Sequence, residues 1–233
     1  VNLINASVNY DVKCFVFTSS IAVYGASPEL PMTEATPPHP EDPYGIAKLA
    51  VEQELRVTHE MFGLDYIIFR PHNVYGERQN IGDRYRNVVG IFMNQVLQRL
   101  PMTIFGDGTQ TRAFSDVSDV APIIAESIDV PAARNQIFNV GADRQFSVNE
   151  LATAVARVMG QPLQVRHLPA RNEVQDAYSS HDKVRAIFGD RTPCSLEDGL
   201  RRMAAWVQVQ GARASSRFEN IEIMRNLPSA WRT

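Results

Sequence analysis

The sequence is poor in cysteine and contains no long apolar run. Its 233 residues include two cysteines, Cys14 and Cys194, which lie far apart in the chain. Cys14 falls in a strand-like run, where a cysteine usually serves as a small buried hydrophobe. This usage is typical of a reducing compartment, so we expect a cytoplasmic protein. No apolar run approaches the roughly 20 residues that span a bilayer, and no segment has the pattern of a signal peptide, so no membrane partner is expected.

The sequence also lacks an excess of positive charge. Lys and Arg number 23 against 26 Asp and Glu, the net charge is −3, and the basic residues form no block. We therefore expect no nucleic-acid partner. The histidines show no metal-ligand spacing with one another or with the cysteines, so no metal site is predicted. They are His39, His59, His72, His167 and His181.

A third absence concerns glycine. The 13 glycines include no G-x-G-x-x-G motif after a strand, and the pair Gly106 and Gly108 does not fit that spacing. The chain opens on "VNLINASV", which is typical of the end of a helix. If the protein has a nucleotide-binding fold, we expect its first strands to lie outside this chain.

The segments that are present alternate between strand-like and helix-like patterns. Apolar runs predict strands at 13–18, 64–69, 102–105 and 136–140, and helical spacing predicts helices at 44–61, 88–100 and 117–128. Two further helices have N-caps at Ser147 and Ser195, and Glu150 completes a capping box with Ser147. This alternation is typical of a parallel sheet with crossover helices.

The first strand-like run ends in three hydroxyl residues, in "VFTSSIAVYG". Downstream, "DPYGIAK" places Tyr44 and Lys48 four residues apart, on one face of a predicted helix. An ammonium group close to a phenol favours the phenolate, which lets tyrosine act as an acid or a base. The spacing alone is common by chance, and a surface Tyr and Lys would also produce it. Because the carboxyl ends of parallel strands meet at one edge, we expect Ser19, Ser20, Tyr44 and the turn at 70–76 to lie together.

Five ordered motifs carry a resemblance to a known family. They are "FVFTSSIAVYG", "PYGIAKLAVEQ", "FRPHNVYG", "IFGDGTQTRAFSDVSDVA" and "FNVGADRQFSVNELA". Over residues 1 to about 205 the chain resembles the extended short-chain dehydrogenase/reductase family. Within that family it is most similar to the NAD-dependent nucleotide-sugar epimerases of the UDP-glucose 4-epimerase type.

This resemblance implies an α/β fold with two units and NAD as the cofactor. Residues 1–78, with 114–140 returning, would belong to a Rossmann-like doubly wound parallel sheet that lacks its N-terminal strands. Residues 79–113 and 141–233 would form a smaller α/β lobe that binds the nucleotide sugar. The resemblance also implies a homodimer that pairs through helices near 1–8 and 44–61.

The resemblance further implies roles for the residues at the sheet edge. Tyr44 would be the acid and base at the sugar O4, Lys48 would hold the nicotinamide ribose, and Ser20 would bind the same sugar hydroxyl. The other residues expected to contact the cofactor are Thr18, Ser19, Pro71 and His72.

A second set would bind the substrate. Asn73 would contact the sugar diphosphate, Asn87 and Val88 the nucleotide-sugar side, and backbone around Thr103 and Phe105 the base. Arg112 and Arg171 would bind the two phosphates, because a guanidinium fork matches phosphate oxygens. Glu173 would bind a ribose hydroxyl.

The residues after Ser20 discriminate between branches of the family. The dehydratases that it resembles carry an Asp-Glu pair there, and the decarboxylases keep the Glu, whereas this chain has Ile21 and Ala22. Epimerisation at one carbon is therefore the favoured chemistry. Another short-chain oxidoreductase, a dehydratase and a non-catalytic relative that binds a sugar nucleotide remain alternatives. The sugar stays open, although a small residue at Ala177 would tolerate an N-acetyl group at C2.

The missing glycine-rich loop affects what this chain can do alone. In the family this loop binds the NAD pyrophosphate at a helix N-terminus. Either the sequence is a fragment or the protein has lost cofactor binding, and the intact Ser20, Tyr44 and Lys48 favour a fragment. We expect the isolated stretch to be inactive.

Overall fold

The chain alternates helices and strands up to Gln210. The computed structural model describes residues 1–83, 87–170 and 174–214. In these ranges the helices are α1 (Asn2–Asn9), α2 (Pro43–Phe62), α3 (Val88–Leu97), α4 (Val117–Glu126), α5 (Val148–Val158), α6 (Asp182–Phe188) and α7 (Leu196–Gln210). The strands are β1 (Cys14–Thr18), β2 (Asp65–Pro71), β3 (Val74–Tyr75), β4 (Met102–Phe105), β5 (Thr111–Ala113), β6 (Ser115–Asp116), β7 (Gln136–Val140), β8 (Gln145–Ser147), β9 (Val165–Leu168) and β10 (Asp176–Ala177). Short 3-10 turns span Ile21–Tyr24, Ser127–Asp129 and Pro131–Ala133.

Three parallel strands form the sheet that carries the predicted site. Their order is β1-β2-β7, with β2 in the centre. Thr18 at the end of β1 lies opposite Phe69, and Arg70 near the end of β2 lies opposite Asn139. The three carboxyl ends therefore meet at one edge. This arrangement confirms the α/β fold with parallel strands and crossover helices.

Helices cover both faces of this sheet. Ile67 and Phe69 of β2 pack in a cluster with side chains of α4 and α6. Tyr66 and Ile68, which alternate with them, pack in a second cluster with side chains of α1 and α2. Because successive strand residues face opposite sides, a continuous apolar run is what a doubly covered strand requires.

A second core lies between α3, α5, α7 and β4. Phe92, Leu151, Leu200 and Met203 are fully buried in it. Short sheets border this core: β4 pairs with β9, β5 pairs with β8 and β10, and β3 pairs with β6. The two-unit division stays a prediction. The packing adds that α6 returns to the three-stranded sheet, where Val184 is buried.

The predicted elements match the structure closely, with three differences at their ends. The strand predicted at 64–69 runs from Asp65 to Pro71, so Arg70 lies in the strand and not in the turn. The helix predicted at 88–100 ends at Leu97, and Arg99 then adopts a positive φ of 58°. The helix predicted at 117–128 ends at Glu126 and continues as a 3-10 turn. The capping box of Ser147 and Glu150 is confirmed. Within the described ranges, no helix combines the length and the apolarity that a membrane crossing requires.

Candidate active site

The end of β1 turns sharply after its hydroxyl residues. Thr18 is exposed, Ser19 is buried and Ser20 lies between these extremes. Ser20 caps the 3-10 turn Ile21–Tyr24, because its Oγ accepts a hydrogen bond of 3.2 Å from the Ala22 backbone N–H. That bond uses an acceptor position of Oγ and leaves the hydroxyl proton for another partner.

Helix α2 begins against this turn. Asp42 caps it, accepting a hydrogen bond of 2.5 Å from the Gly45 N–H, and Pro43 occupies the first turn. Gly45 is needed for the approach: a Cβ there would lie 2.5 Å from the carbonyl oxygen of Ala22. The close backbone contact brings the residue before it, Tyr44, to the edge where β1 ends.

Tyr44 and Lys48 form the predicted pair on α2. Tyr44 is 54% exposed. The Lys48 Nζ donates a hydrogen bond of 2.8 Å to the carbonyl oxygen of Thr18 and lies 5.6 Å from the centroid of the Tyr44 ring. The same Nζ lies 4.9 Å from the centroid of the Phe17 ring. Burial lowers the pKa of Lys48. Lys48 thus holds a cationic side chain beside the Tyr44 ring.

A buried polar layer lies one helical turn below this pair. Glu52, four residues after Lys48, is only 3% exposed. Its carboxylate accepts bonds from Ser19 Oγ at 2.5 Å and from Arg70 Nε at 3.0 Å and NH2 at 2.5 Å. Arg70 in turn stacks over the Tyr24 ring at 4.7 Å, and the Tyr24 hydroxyl donates to Asn139 Oδ1 at 2.8 Å. Ser19, predicted to contact the cofactor, therefore has its hydroxyl directed to Glu52.

The charge on Arg70 is stabilised inside the protein. Burial works against the charged guanidinium, but the hydrogen bonds to Glu52 and the charge of Glu52 leave the pKa of Arg70 above its ordinary value. Burial also raises the pKa of Tyr24, which favours its neutral form. The layer thus holds a carboxylate and a guanidinium as a bidentate pair across the carboxyl ends of β1 and β2.

The turn after β2 carries the next three predicted residues. Pro71 ends β2 opposite Val140. His72 is 3% exposed, and its Nδ1 lies 3.0 Å from the carbonyl oxygen of Ala113. Asn73 has a positive φ of 40°, and its Nδ2 donates to the same oxygen at 3.1 Å. Burial, followed by the charge of His181, lowers the pKa of His72 to about 4, so His72 is neutral at physiological pH.

The residues predicted for the substrate lie on other elements. Asn87 precedes α3, with a φ of 62°, and Val88 begins that helix. The backbone N–H and Oγ1 of Thr103 are bonded to the Gln95 side chain, and the Phe105 carbonyl accepts from Gln110.

Arg112 holds the chain segment that follows 171–173. Its guanidinium donates to the carbonyl oxygens of Thr111, Val174 and Gln175 at 2.5 to 2.8 Å. The predicted phosphate contacts of Arg112 stay a prediction. Arg171 and Glu173 lie outside the described residues.

The fold and this edge together define a Rossmann-like α/β protein with a serine, a tyrosine and a lysine at one edge of its parallel sheet. The chain matches the model of the NAD dependent epimerase/dehydratase family over residues 1–141. It is 33% identical over 210 residues to a putative UDP-glucose 4-epimerase of Methanocaldococcus jannaschii, an alignment that covers 89% of this chain and 67% of the relative. The chain belongs to this family.

Solved structures agree with this membership. The UDP-glucose 4-epimerase of Thermotoga maritima with UDP-glucose superposes with a TM-score of 0.83 at 31% identity, covering 89% of this chain and 67% of that one. The UDP-glucose 4-epimerase of Thermus thermophilus in complex with NAD gives a TM-score of 0.80 at 32% identity, covering 89% and 68%. The chain thus spans about two thirds of the length of these relatives, and the Rossmann-like fold is confirmed.

NAD is the cofactor of this family, and the described residues fit its nicotinamide-ribose end. The Lys48 ammonium has three donors, of which one bonds Thr18, and Tyr44 presents an exposed side chain beside it. The pyrophosphate end would need a glycine-rich loop, and the sequence contains none after a strand. Among the residues that the structure describes, no group of three or more His, Cys, Asp or Glu side chains is arranged to hold a metal ion.

Proposed function

We propose that the protein is an NAD-dependent epimerase that inverts C4 of a nucleotide sugar, with a UDP-hexose as substrate. One observation carries the proposal. Helix α2 begins against the turn capped by Ser20 and sets Tyr44 beside Lys48, whose Nζ is fixed 2.8 Å from the Thr18 carbonyl oxygen. A hydroxyl, a phenol and an ammonium group at one sheet edge are suited to moving the proton of a sugar alcohol.

Each of these three side chains has a distinct task in the proposed reaction. Tyr44 takes the proton of the 4-hydroxyl as C4 is oxidised and returns it as C4 is reduced on the opposite face. Lys48 stabilises the phenolate and binds the nicotinamide ribose. The Ser20 hydroxyl donates a hydrogen bond to the sugar O4 and keeps its proton. NAD, when bound, supplies the reversible hydride acceptor.

The turn after Ser20 supports epimerisation over elimination. Ile21 and Ala22 carry no ionisable group, and Ala22 lies against Gly45 at the start of α2. A dehydratase needs an acid and a base at the neighbouring carbons in addition to the tyrosine. Here the turn offers neither, so the oxidised sugar would be reduced again at the same carbon.

The substrate side of the proposal rests on the resemblance of these residues to the family's motifs. Asn73, Asn87, Val88, Thr103, Phe105, Arg112, Arg171 and Glu173 would bind the nucleotide and its diphosphate. The relative from Thermotoga maritima was solved with UDP-glucose, which supports a UDP-sugar here. Ala177, which we expected near the sugar C2, packs against the cluster of Val23, Tyr24 and Met32.

We also propose a cytoplasmic homodimer. Apolar side chains are exposed on α1 and α2, at Leu3, Ile46, Met61 and Phe62, and a second copy could cover them. Cys14 and Cys194 are free thiols, as is usual in a reducing compartment. Light scattering of the purified protein tests the dimer, and a monomer at micromolar concentration would contradict it.

The decisive experiment uses the protein expressed from the full reading frame that contains this sequence. It is incubated separately with UDP-glucose, UDP-N-acetylglucosamine and UDP-glucuronate, and the products are resolved by NMR. Interconversion at C4 without net NADH supports the proposal. A 4-keto-6-deoxy product or released CO2 would overturn it. The residue 1–233 polypeptide alone is expected to show neither NAD absorbance nor turnover.

A further inference from the structure

Two buried imidazoles meet behind the turn that carries Asn73. His72 is 3% exposed and His181, the residue before α6, is 1% exposed. Their Nε2 atoms lie 3.1 Å apart, and their rings are tilted by 32° with centroids 5.2 Å apart. A separation of 3.1 Å between two ring nitrogens is a hydrogen-bond distance.

The outer nitrogen of each ring faces an acceptor. His72 Nδ1 lies 3.0 Å from the Ala113 carbonyl oxygen. His181 Nδ1 lies 2.6 Å from Asp143 Oδ1, and the other carboxylate oxygen of Asp143 accepts a bond of 2.8 Å from Arg185. The hydrogen bond from His181 and the charges of His181 and Arg185 hold the pKa of Asp143 below its ordinary value, so it is a carboxylate at neutral pH.

These contacts fix the number of protons on the pair. A carbonyl oxygen and a carboxylate only accept, so both Nδ1 atoms must carry a proton. One proton must also lie between the two Nε2 atoms, since two bare lone pairs would repel and two N–H groups would clash. The two rings therefore hold three protons and one positive charge, whereas two neutral imidazoles would hold two.

The surroundings decide which ring carries the charge. His181 touches the Asp143 carboxylate, and Ser179 Oγ lies 3.2 Å from its Nε2, where the hydroxyl oxygen can share the same proton. His72 Nδ1 faces the neutral Ala113 carbonyl oxygen, and among the described residues the Asp143 carboxylate bonds to His181 instead of His72. A buried charge needs an opposite charge in contact, so the shared proton belongs to His181.

We propose that His181, charged and held by Asp143, is a positioning residue that locks His72 as the neutral Nδ1–H tautomer. The locked ring donates to the Ala113 carbonyl oxygen, to which Asn73 also donates, so the chain of bonds from Asp143 to Ala113 fixes the turn after β2. The consequence for turnover rests on the proposed function, in which this turn faces the nicotinamide and the sugar diphosphate.

The direct test is 15N NMR of the histidine side chains in the full-length protein at neutral pH. The four ring nitrogens of the pair are expected to give three N–H signals and one bare nitrogen, assigned to His72 Nε2 with the His72→Gln and His181→Gln variants. In Asp143→Asn the charge on His181 is no longer compensated, so a second bare nitrogen is expected. Two bare nitrogens in the parent protein would overturn the proposal.

Kinetics of two matched variants test the positioning role. Asp143→Asn is expected to lower kcat by about tenfold, the usual scale for the loss of a group that orients a functional imidazole. Asp182→Asn, which removes a neighbouring exposed carboxylate that also pairs with Arg185, is expected to keep the parent kcat and the parent spectrum. Equal kcat in both variants would overturn the positioning role. A parent protein that turns over no nucleotide sugar would contradict the proposed function instead, and the proton count would then be judged by the spectra alone.

Discussion

Helix α2 presents one face to β1, and two parts of that face differ in their environment. The upper end is the N-terminal part with Tyr44 and Lys48, and the lower end is the part around Glu52. At the upper end, Tyr44 is exposed, and within the described part of the chain one of the three Lys48 donors bonds the Thr18 carbonyl oxygen. At the lower end, Glu52 is buried and accepts three hydrogen bonds from Ser19 and Arg70. Tyr44, Lys48 and Glu52 follow one another at intervals of four residues, so a single helix supplies both groups.

This difference distinguishes the groups proposed to react, at the upper end, from the groups that support the structure, at the lower end. Groups that react must keep unsatisfied hydrogen-bonding capacity for a substrate, whereas groups that are buried must be satisfied inside the protein. The buried polar layer fixes Ser19 and the end of β1, and the neighbouring Ser20 and the Thr18 carbonyl are thereby held for the upper end. Substitutions at the upper end should therefore lower kcat, and substitutions at the lower end should lower the stability of the fold.

The largest effect is expected for Tyr44→Phe. Removing the phenolic oxygen deletes the proposed acid and base, and kcat should fall by about a thousandfold, within the range for loss of such a group. The exposed ring stays in place, so thermal unfolding should change by less than about 0.5 kcal/mol. Tyr10→Phe, at another exposed tyrosine, is the matched control. Near-normal turnover by Tyr44→Phe would show that another residue moves the proton.

A substitution at the lower end is expected to reduce the free energy of unfolding. Glu52→Gln leaves the buried Arg70 without its counter-charge, and losing one partner of a buried pair costs about 3 kcal/mol. Urea denaturation measures the loss. Glu60→Gln on the same helix breaks an exposed pair with Arg56 and should cost less than about 0.5 kcal/mol. If the two variants were equally stable, the buried polar layer would not support the sheet edge.

The contact between the start of α2 and the turn after β1 is tested at Gly45. A Cβ at Gly45 would meet the Ala22 carbonyl oxygen at 2.5 Å, so Gly45→Ala must shift the start of α2. Overpacking of this kind costs about 2 kcal/mol. Displacing Tyr44 should lower kcat by about tenfold or more.

Gly90→Ala in α3 is the matched control for that substitution. There the nearest atom is the far end of the Gln79 side chain at 3.2 Å, which can move aside. The gain in helix propensity, about 1 kcal/mol, should offset the crowding. If Gly45→Ala behaved like Gly90→Ala, the close approach of α2 to the turn would not position Tyr44.

The sequence predicted the upper end better than the lower one. Strand β1 follows from a continuous apolar run, and the N-caps Ser147 and Ser195 follow from local chemistry within one turn. The proximity of Tyr44 and Lys48 could be predicted because residues four apart lie on the same face of a helix. The short strands β3, β6, β8 and β10 have two or three residues each, too few for a period to show.

The lower end depends on contacts between distant parts of the chain. Glu52 in an amphipathic helix has the pattern of a surface residue, and Arg70 beside Pro71 has the pattern of a turn. Only the parallel pairing of β1 with β2 brings Ser19, Glu52 and Arg70 together. His72 and His181 are 109 residues apart in the chain, so spacing could not reveal their contact.

The smallest effect is expected at the opposite end of β2, where the charged pair of Arg134 and Asp65 is partly exposed. Asp65 accepts hydrogen bonds from Asn135 at 2.8 Å and from Arg134 at 2.9 Å. The bond from Asn135, followed by that from Arg134, holds the pKa of Asp65 below its ordinary value of 3.8. A carboxyl with a depressed pKa stabilises the fold well above that value, and this contribution disappears as the pH falls through the depressed pKa.

Solvent screens this pair, so Asp65→Asn should cost only about 0.5 kcal/mol at neutral pH. Urea midpoints of parent and variant, measured from neutral pH downwards, should converge as Asp65 becomes protonated in the parent. Added salt should shrink the neutral-pH difference as well, because exposed charges are screened, whereas the Glu52→Gln difference should persist. A gap between parent and Asp65→Asn that widened with acid would contradict the direction of the pKa shift. It would also remove the contrast between an exposed pair that salt weakens and a buried pair that salt cannot reach.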